Sequence, residues 1–264
     1  MIGFDIYPNA CRNVFTASYD DGTIHDRKLV EIFNRYNIKA TFNLNSDSIG
    51  KHGFVGLDEV RNLYKGHEIA VHSKGHHFLD ELTTQGVYES VFEDRKELEK
   101  VSGQIVRGMA YPYGRYNESV INTVSNAGIV YSRTCNSTGQ FKKPTNFLVW
   151  NPTCHHNKAL DYIDAFISAT KSNWCSRVFY VWGHSYEFEN DNNWVLIGDF
   201  CKKISELENV WFATNVEIFE YVNAQKQLVI SADESIIYNP TNIDVWVLKD
   251  KLPLKIPAGK SIKN

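Results

Sequence analysis

The sequence has no long apolar run, no excess of charge of either sign and no Cys-x-x-Cys pair. Without an apolar run of about 18 residues, a membrane-spanning helix is not expected. Lysine and arginine number 28 and aspartate and glutamate 31, a net charge of −3, so neither nucleic acid nor an anionic membrane is an expected partner. With 43% hydrophobic and 22% charged residues, the 264-residue chain has the composition of a globular protein.

The five cysteines are odd in number and lack metal-site spacing, which argues against both a disulfide framework and a thiolate zinc site. A reducing compartment is the simpler interpretation. The segment MIGFDIYPNACRNVF at residues 1–15 is too polar for a signal peptide. We therefore expect a cytoplasmic protein, with the cell surface or secretion as the alternative. The oligomeric state is left open.

Strand-type and helix-type patterns alternate from Asn13 to Ala224, which predicts an α/β fold around a parallel sheet, either open or closed into a barrel. One helix is predicted from Thr83 to Val101, with a threonine cap at its start and Gly103 after its end. Another is predicted from Thr214 to Ala224, and it begins with the capping-box pattern Thr-x-x-Glu at Thr214 and Glu217. Beyond Ala224 the pattern changes to short β runs separated by turn signals. We expect a barrel domain over residues 1–225 and a small antiparallel β appendage over residues 226–264.

Two adjacent carboxylates, Asp20 and Asp21, follow the first strand of this alternation, in the segment SYDDG. The carboxyl ends of parallel strands form the face on which α/β active sites are built. Two like charges this close are unfavourable unless a cation or a shared proton neutralises one of them. A solvated Asp-Asp-Gly turn is the alternative, and for the motif alone it is the favoured one.

A pair of histidines, His72 and His76, follows another predicted strand in the segment HSKGH. One turn of chain at this spacing can direct both imidazoles at one ion. Two histidines and one carboxylate leave an open position, as in a catalytic zinc site. A surface histidine cluster is the competing interpretation, and His77 has no assigned role.

Two further strand ends carry candidate groups. In YPYG, at residues 111–114, the turn could direct the backbone N–H of Tyr113 into a pocket as an oxyanion donor. His184 ends the strand VWGH, where a structural histidine is the more common finding. In a parallel barrel all four strand ends share one face, so the combination carries more weight than any single motif.

Together these residues resemble the polysaccharide deacetylases of carbohydrate esterase family 4, also called the NodB-homology domain. The resemblance extends from about Asn13 to Ala224. The family's first motif is TFDDG, for which this chain has SYDDG, and its second motif, H[ST]xxH, is met in full by HSKGH. The segment KATF at residues 39–42 is similar to the family's second strand.

The resemblance implies a distorted (β/α) barrel of about seven parallel strands. It implies Asp20 as general base and Asp21, His72 and His76 as ligands of one divalent cation, with Zn²⁺ preferred over Co²⁺, Ni²⁺ or Mn²⁺. It also implies His184 as the general acid that protonates the departing amine.

Two family motifs are altered. The family usually has RxP[YW]G where this chain has AYPYG, so that Ala110 occupies the arginine position; whether Arg107 reaches Asp20 instead is open. No DxxDW motif is present, and the segment NPTCHH at residues 151–156 lies in its region, with His155 as a candidate site-lining residue. Trp182 is another. Glu187 could orient His184, although an exposed loop glutamate is the favoured interpretation.

The expected function is removal of N-acetyl groups from amino sugars of a glycan or oligosaccharide, with release of acetate. A hydrolase of another amide, an imide or an O-acetyl ester is one alternative; relatives that act on nitrogen rings lack the histidine pair, which is intact here. The other alternative is an inactive glycan-binding protein, suggested by the altered motifs and by four aromatic residues: Trp150, Trp182, Tyr186 and Trp194.

Overall fold

Strands and helices alternate along most of the chain, as the hydrophobic pattern predicts. The computed structural model describes residues 1–172 and 174–263. The strands are β1 Ile2–Gly3, β2 Asn13–Asp21, β3 Thr41–Leu44, β4 Glu68–Val71, β5 Gly108–Ala110, β6 Tyr131–Arg133, β7 Cys154–His155, β8 Arg177–His184, β9 Val210–Phe212, β10 Val229–Ile230, β11 Ile236–Tyr238, β12 Val245–Lys249, β13 Leu252–Ile256 and β14 Ser261–Lys263. The helices are α1 Asp26–Arg35, α2 Val60–Leu63, α3 Thr84–Ser102, α4 Glu118–Asn126, α5 Ala159–Thr170, α6 Ser185–Asn190, α7 Trp194–Ser205 and α8 Asn215–Lys226.

The main sheet has eight strands in the order β6-β5-β4-β3-β2-β8-β7, with β9 also paired to β2, and every pair is parallel. The segment that leads into β7 also pairs with β6 at the other end of this order. There the N–H of Trp150 donates to the carbonyl of Ser132 at 2.9 Å, and the N–H of Thr134 donates to the carbonyl of Trp150 at 3.0 Å. The distorted (β/α) barrel expected from the sequence is confirmed.

The barrel strands are buried on both faces, by the side chains that fill the barrel interior and by the helices that cover the outside. Phe15, Phe42 and Phe179 are fully buried strand residues, and Phe33 of α1 and Phe200 of α7 pack into the same cluster. Removing such side chains from water is the main source of stability for a parallel sheet that is covered on its outer face.

The predicted helix caps are confirmed. The Thr83 hydroxyl accepts the N–H of Gly86 at 3.1 Å, and Gly103 ends α3 in the left-handed conformation with φ of 71°. At the start of α8, Thr214 and Glu217 form a reciprocal capping box. The threonine side chains accept N–H groups that have no partner inside the helix, and at the end of α3 the N–H of Gly103 donates to the Glu99 carbonyl at 2.9 Å.

The C-terminal part forms two antiparallel three-stranded sheets, β1-β12-β13 and β10-β11-β14. The predicted antiparallel appendage is therefore present, and the N-terminal strand β1 completes one of its sheets. It packs on α8, where Tyr221 accepts the N–H of Trp246 at 2.9 Å and Gln225 donates to the carbonyl of Trp246 at 3.1 Å. The boundary at residue 225 stays a prediction.

Two further findings concern the described residues as a whole. Their helices are all too short or too polar to span a bilayer. All five cysteines have free thiols.

Candidate active site

The ends of three barrel strands bring the predicted chemical groups together. Asp20 and Asp21 end β2, His72 follows β4, and His184 ends β8. Asp20 lies opposite His184 in the register of β2 and β8. Because neighbouring strands are parallel, these side chains reach the same end of the barrel.

Asp21, His72 and His76 form a cluster of ligand atoms. The Nε2 atoms of His72 and His76 lie 3.7 Å and 3.6 Å from Oδ1 of Asp21, which is too far for hydrogen bonds. Nδ1–H of His72 donates to the carbonyl of Ala110 at 2.9 Å, so the lone pair of this ring is on Nε2, facing Asp21. Ligand atoms about 3.4 Å apart are what a tetrahedral zinc ion with bonds near 2.1 Å requires. The three residues therefore fit a divalent cation.

The backbone at this cluster has positive φ angles, which residues other than glycine rarely adopt. φ is 81° at Asp21, 65° at Ser73, 54° at His76 and 57° at Tyr113. Each such residue is held at an energetic cost of about 1–3 kcal/mol by the surrounding structure. Four of them around one cluster indicate a site whose geometry takes precedence over local backbone preference.

Asp20 is buried beside the cluster and is paired with a cation. Its carboxylate contacts the guanidinium of Arg133, accepts a hydrogen bond from the Asn43 amide at 2.8 Å, and lies 3.9 Å from Nε2 of both His72 and His184. Burial by itself raises the pKa of Asp20, but Arg133 and then the two histidines outweigh it and lower the pKa below its usual value. Asp20 is therefore ionised at neutral pH.

Arg107 does not reach Asp20. Arg107 precedes β5, at the opposite end of the barrel, where its guanidinium pairs with Glu220 at 3.2 Å and lies 5.8 Å from the ring centre of Phe219. It does not line the site. Arg133, at the end of β6, supplies the guanidinium that Asp20 contacts, and it is fully buried beneath Trp182, 4.5 Å from the centre of that ring.

Glu187 is not the exposed loop residue that the sequence favoured. It lies in α6, and its Oε1 accepts a hydrogen bond from Nδ1 of His184 at 3.0 Å. Burial lowers the pKa of His184, but Glu187 and then Asp20 outweigh it and raise the pKa above its usual value. The imidazole thus has one nitrogen held by Glu187 and the other facing Asp20.

The other oxygen of Glu187 faces a second pair of histidines. Nε2 of His155 and Nε2 of His156 lie 2.9 Å and 3.1 Å from Oε2 of Glu187. The ring of His155 also packs edge-on against Trp182, with centres 4.9 Å apart. His155, Trp182 and Glu187 are therefore adjacent in the structure. His156 completes the group, although nothing in the sequence pattern marked it.

Tyr113 lies beside the first cluster with an exposed ring. Its ring stacks on Phe78 with centres 4.0 Å apart and packs edge-on against His76 at 4.4 Å. Its φ of 57° turns the backbone sharply between Pro112 and Gly114. This places an aromatic surface next to the candidate metal ligands.

Besides Arg133, the sequence prediction missed two groups that hold the site in place, Asn43 and Asp94. Asn43 could have been noticed as a polar residue inside the apolar strand β3. Asp94 of α3 accepts the N–H groups of His72 at 3.1 Å and of Ser46 at 2.7 Å, and burial raises its pKa to about 7. Nothing in the helical pattern around Asp94 marks it, since its partners are distant in sequence.

Comparison with known proteins agrees with this geometry. The sequence model of the family "Polysaccharide deacetylase" matches residues 8–132. A peptidoglycan-N-acetylglucosamine deacetylase, PgdA, from Listeria monocytogenes is 31% identical over 110 residues, which is 40% of this chain and 23% of that protein. A chitin deacetylase from Pestalotiopsis is 26% identical over 117 residues, 44% of this chain and 39% of that protein. The chain thus matches well under half the length of each of these relatives.

Solved structures share the fold at low sequence identity. A Mycobacterium smegmatis protein assigned as a polysaccharide deacetylase superposes with a TM-score of 0.65 at 16% identity, covering 83% of this chain and 93% of that one. A variant of the peptidoglycan deacetylase PdaC from Bacillus subtilis gives 0.56 at 17% identity, with 84% and 96% covered. The resemblance to the polysaccharide deacetylases predicted from the motifs is confirmed.

Proposed function

We propose that this relative of the polysaccharide deacetylases is a metal-dependent hydrolase that removes N-acetyl groups from amino sugars of a glycan or oligosaccharide and releases acetate. The observation that carries the proposal is that a ligand set of two histidines and one carboxylate lies beside a buried carboxylate, Asp20, and a third histidine, His184. A glycan-binding protein has no need of a paired base and acid next to a metal site.

The metal would be held by Asp21, His72 and His76, and we propose Zn²⁺ for this donor set of two imidazoles and one carboxylate. When bound there, a divalent cation supplies Lewis-acid polarisation of the acetamide carbonyl. The hydrogen bond from His72 to the Ala110 carbonyl fixes which nitrogen of that ring is available.

Asp20 and His184 divide the proton transfers. The ionised Asp20 carboxylate accepts the proton of the attacking water, and Arg133 and Asn43 hold that carboxylate in place. His184, whose raised pKa favours the protonated form, donates to the departing nitrogen, since an unprotonated amine leaves poorly. Because Asp20 must be ionised and His184 protonated, we expect a bell-shaped dependence of the rate on pH. Its acid limb should lie below the usual pKa of aspartate, and its alkaline limb above the usual pKa of histidine.

The substrate would lie across the exposed rings at the rim of the site. Tyr113 and Phe78 present a stacked aromatic surface suited to the apolar face of a sugar ring. The backbone N–H of Tyr113 donates to the oxyanion that forms when water adds to the carbonyl.

The test is acetate release from N-acetylglucosamine oligomers by the purified, zinc-loaded chain. Asp20→Asn is expected to lower kcat by at least about 100-fold while metal content is retained. His184→Gln is expected to lower kcat by a similar factor. An exposed histidine outside the site provides the control, and His52→Gln should leave kcat unchanged. Normal turnover in metal-loaded Asp20→Asn would show that the base assignment is wrong.

A further inference from the structure

A second cluster of metal-ligating groups lies on the far side of His184 from Asp20. It consists of His155, His156 and Glu187, whose ligand atoms all lie within 4.8 Å of one another. It shares no residue with the cluster of Asp21, His72 and His76. His184 separates the two, with Nε2 at 3.9 Å from Asp20 and Nδ1 at 3.0 Å from Glu187.

The two imidazoles approach the same oxygen of Glu187 without a well-aligned hydrogen bond. Oε2 of Glu187 is buried and has no hydrogen-bond partner among the described residues, although two ring nitrogens lie 2.9 Å and 3.1 Å away. The ring N–H directions of His155 and His156 therefore miss this oxygen. The two nitrogens and this oxygen share a common space, and the nitrogens lie slightly closer to the oxygen than the roughly 3.4 Å that separates ligands of a tetrahedral zinc ion.

The ring of His156 is fixed in this orientation by packing. It stacks between Phe188, with ring centres 4.0 Å apart, and Tyr19, with centres 5.8 Å apart. It also lies directly over Gly183 of β8, where a Cβ would come within 2.0 Å of its Nδ1. The absence of a side chain at residue 183 thus makes room for an imidazole that is only 1% exposed. Because Nδ1 of this ring faces Gly183, Nε2 is the nitrogen that faces Glu187.

We propose that His155, His156 and Glu187 form a second site for a divalent transition-metal ion, independent of the first cluster. Two imidazole nitrogens and one carboxylate oxygen suit Zn²⁺ or Co²⁺ rather than Mg²⁺ or Ca²⁺, which prefer oxygen ligands. The second carboxylate oxygen of Glu187 remains on His184, so an ion here is linked to that histidine through one side chain.

The test is metal binding by the full chain, stripped with a chelator and then dialysed against Zn²⁺, with bound zinc measured by elemental analysis. Wild type is expected to bind two ions. His72→Gln/His76→Gln should bind one, His155→Gln/Glu187→Gln should bind one, and the combination of all four substitutions should bind none. His52→Gln should bind two, as a control for exposed histidines.

A second readout does not depend on counting. In His72→Gln/His76→Gln, Zn²⁺ should raise the temperature of unfolding, because an ion that binds only the native state stabilises it. The added substitution His155→Gln, in a partly exposed side chain, should abolish that rise. The proposal is wrong if wild type binds a single ion that disappears in His72→Gln/His76→Gln, or if zinc binding is unchanged in His155→Gln/Glu187→Gln. Neither result bears on deacetylation at the first cluster, which the acetate assay tests separately.

Discussion

Arg133 and Asp20 form a buried ion pair, and replacing the arginine tests whether that pair holds the site together. The side chain of Arg133 is fully buried and that of Asp20 is 2% exposed. In Arg133→Met the apolar length of the side chain is largely kept, but Asp20 loses its cationic partner and retains the Asn43 amide. Removing one partner of a buried pair costs about 3–5 kcal/mol, because the remaining charge is left uncompensated.

The expected result is a free energy of unfolding lowered by about 3–5 kcal/mol near neutral pH, measured by urea denaturation with chelator present so that metal binding does not contribute. Adding Asp20→Asn to Arg133→Met should restore most of the loss, since the carboxylate is then neutral. Arg27→Met is the matched control. Its pair with Glu59 is largely exposed, and loss of such a pair costs at most about 1 kcal/mol.

The pH dependence has a definite sign. The folded-state pKa of Asp20 is lowered, so its contribution to stability is present above the unfolded-state pKa of about 3.9 and is lost as the pH falls through the folded-state value. Arg133→Met should therefore destabilise less in acid than at neutral pH. If it costs no more than Arg27→Met, or if the double variant simply sums the two single effects, the interpretation of the pair is refuted.

Two further predictions concern the barrel. Burial raises the pKa of Glu68 to about 7, so the folded state binds the proton more tightly than the unfolded state does. The free energy of unfolding should therefore fall by about 3 kcal/mol as the pH rises from about 4.5 to 7. Urea unfolding across this range should show the fall in wild type and not in Glu68→Gln. In Gly108→Ala the new Cβ would lie 2.1 Å from the buried Tyr131 ring, which should lower stability by about 1–3 kcal/mol. In Gly198→Ala, in α7, the new Cβ would have no atom within 4 Å apart from its chain neighbours and the backbone of its own helix, so stability should instead rise by up to about 1 kcal/mol. A change of the same sign in both glycine variants would contradict the packing argument.

The sequence predicts well those features that depend on local pattern. Alternating runs predict the parallel strands, and the residues just after each run are the ones that meet at one end of the barrel. His72 and His76 could be paired because only four residues separate them. The capping box at Thr214 and the helix stop at Gly103 are local in the same way.

Features that depend on tertiary contacts were missed or misplaced. Arg133 contacts Asp20 although β6 lies four places from β2 in the sheet order, so only the curvature of the barrel brings the two together. Glu187 is predicted as an exposed loop residue, but it lies in the six-residue helix α6. The contacts of its neighbour Ser185 with Thr23 and Asp26 hold that helix against the barrel.

Aromatic composition was a poor guide to a binding surface. Trp150, one of the four aromatic residues considered for glycan contact, is 1% exposed and packs in the core against Tyr131 and Tyr180. Trp182 and Tyr186 do lie beside His184, with ring centres 5.9 Å and 5.1 Å from it, whereas the stacked pair of Phe78 and Tyr113 was not among the four. Whether an aromatic ring is buried depends on tertiary contacts, which for Trp150 come from strands distant in the sequence.

The central claim is that Asp21, His72 and His76 hold a metal ion on which deacetylation depends. The most direct measurement is acetate release from N-acetylglucosamine oligomers by the chelator-stripped chain as Zn²⁺ is returned. The account predicts negligible release without metal, recovery with Zn²⁺ in wild type, and no recovery in folded His72→Gln/His76→Gln at any zinc concentration. Undiminished release from the stripped chain, or recovery in that variant, would contradict the account.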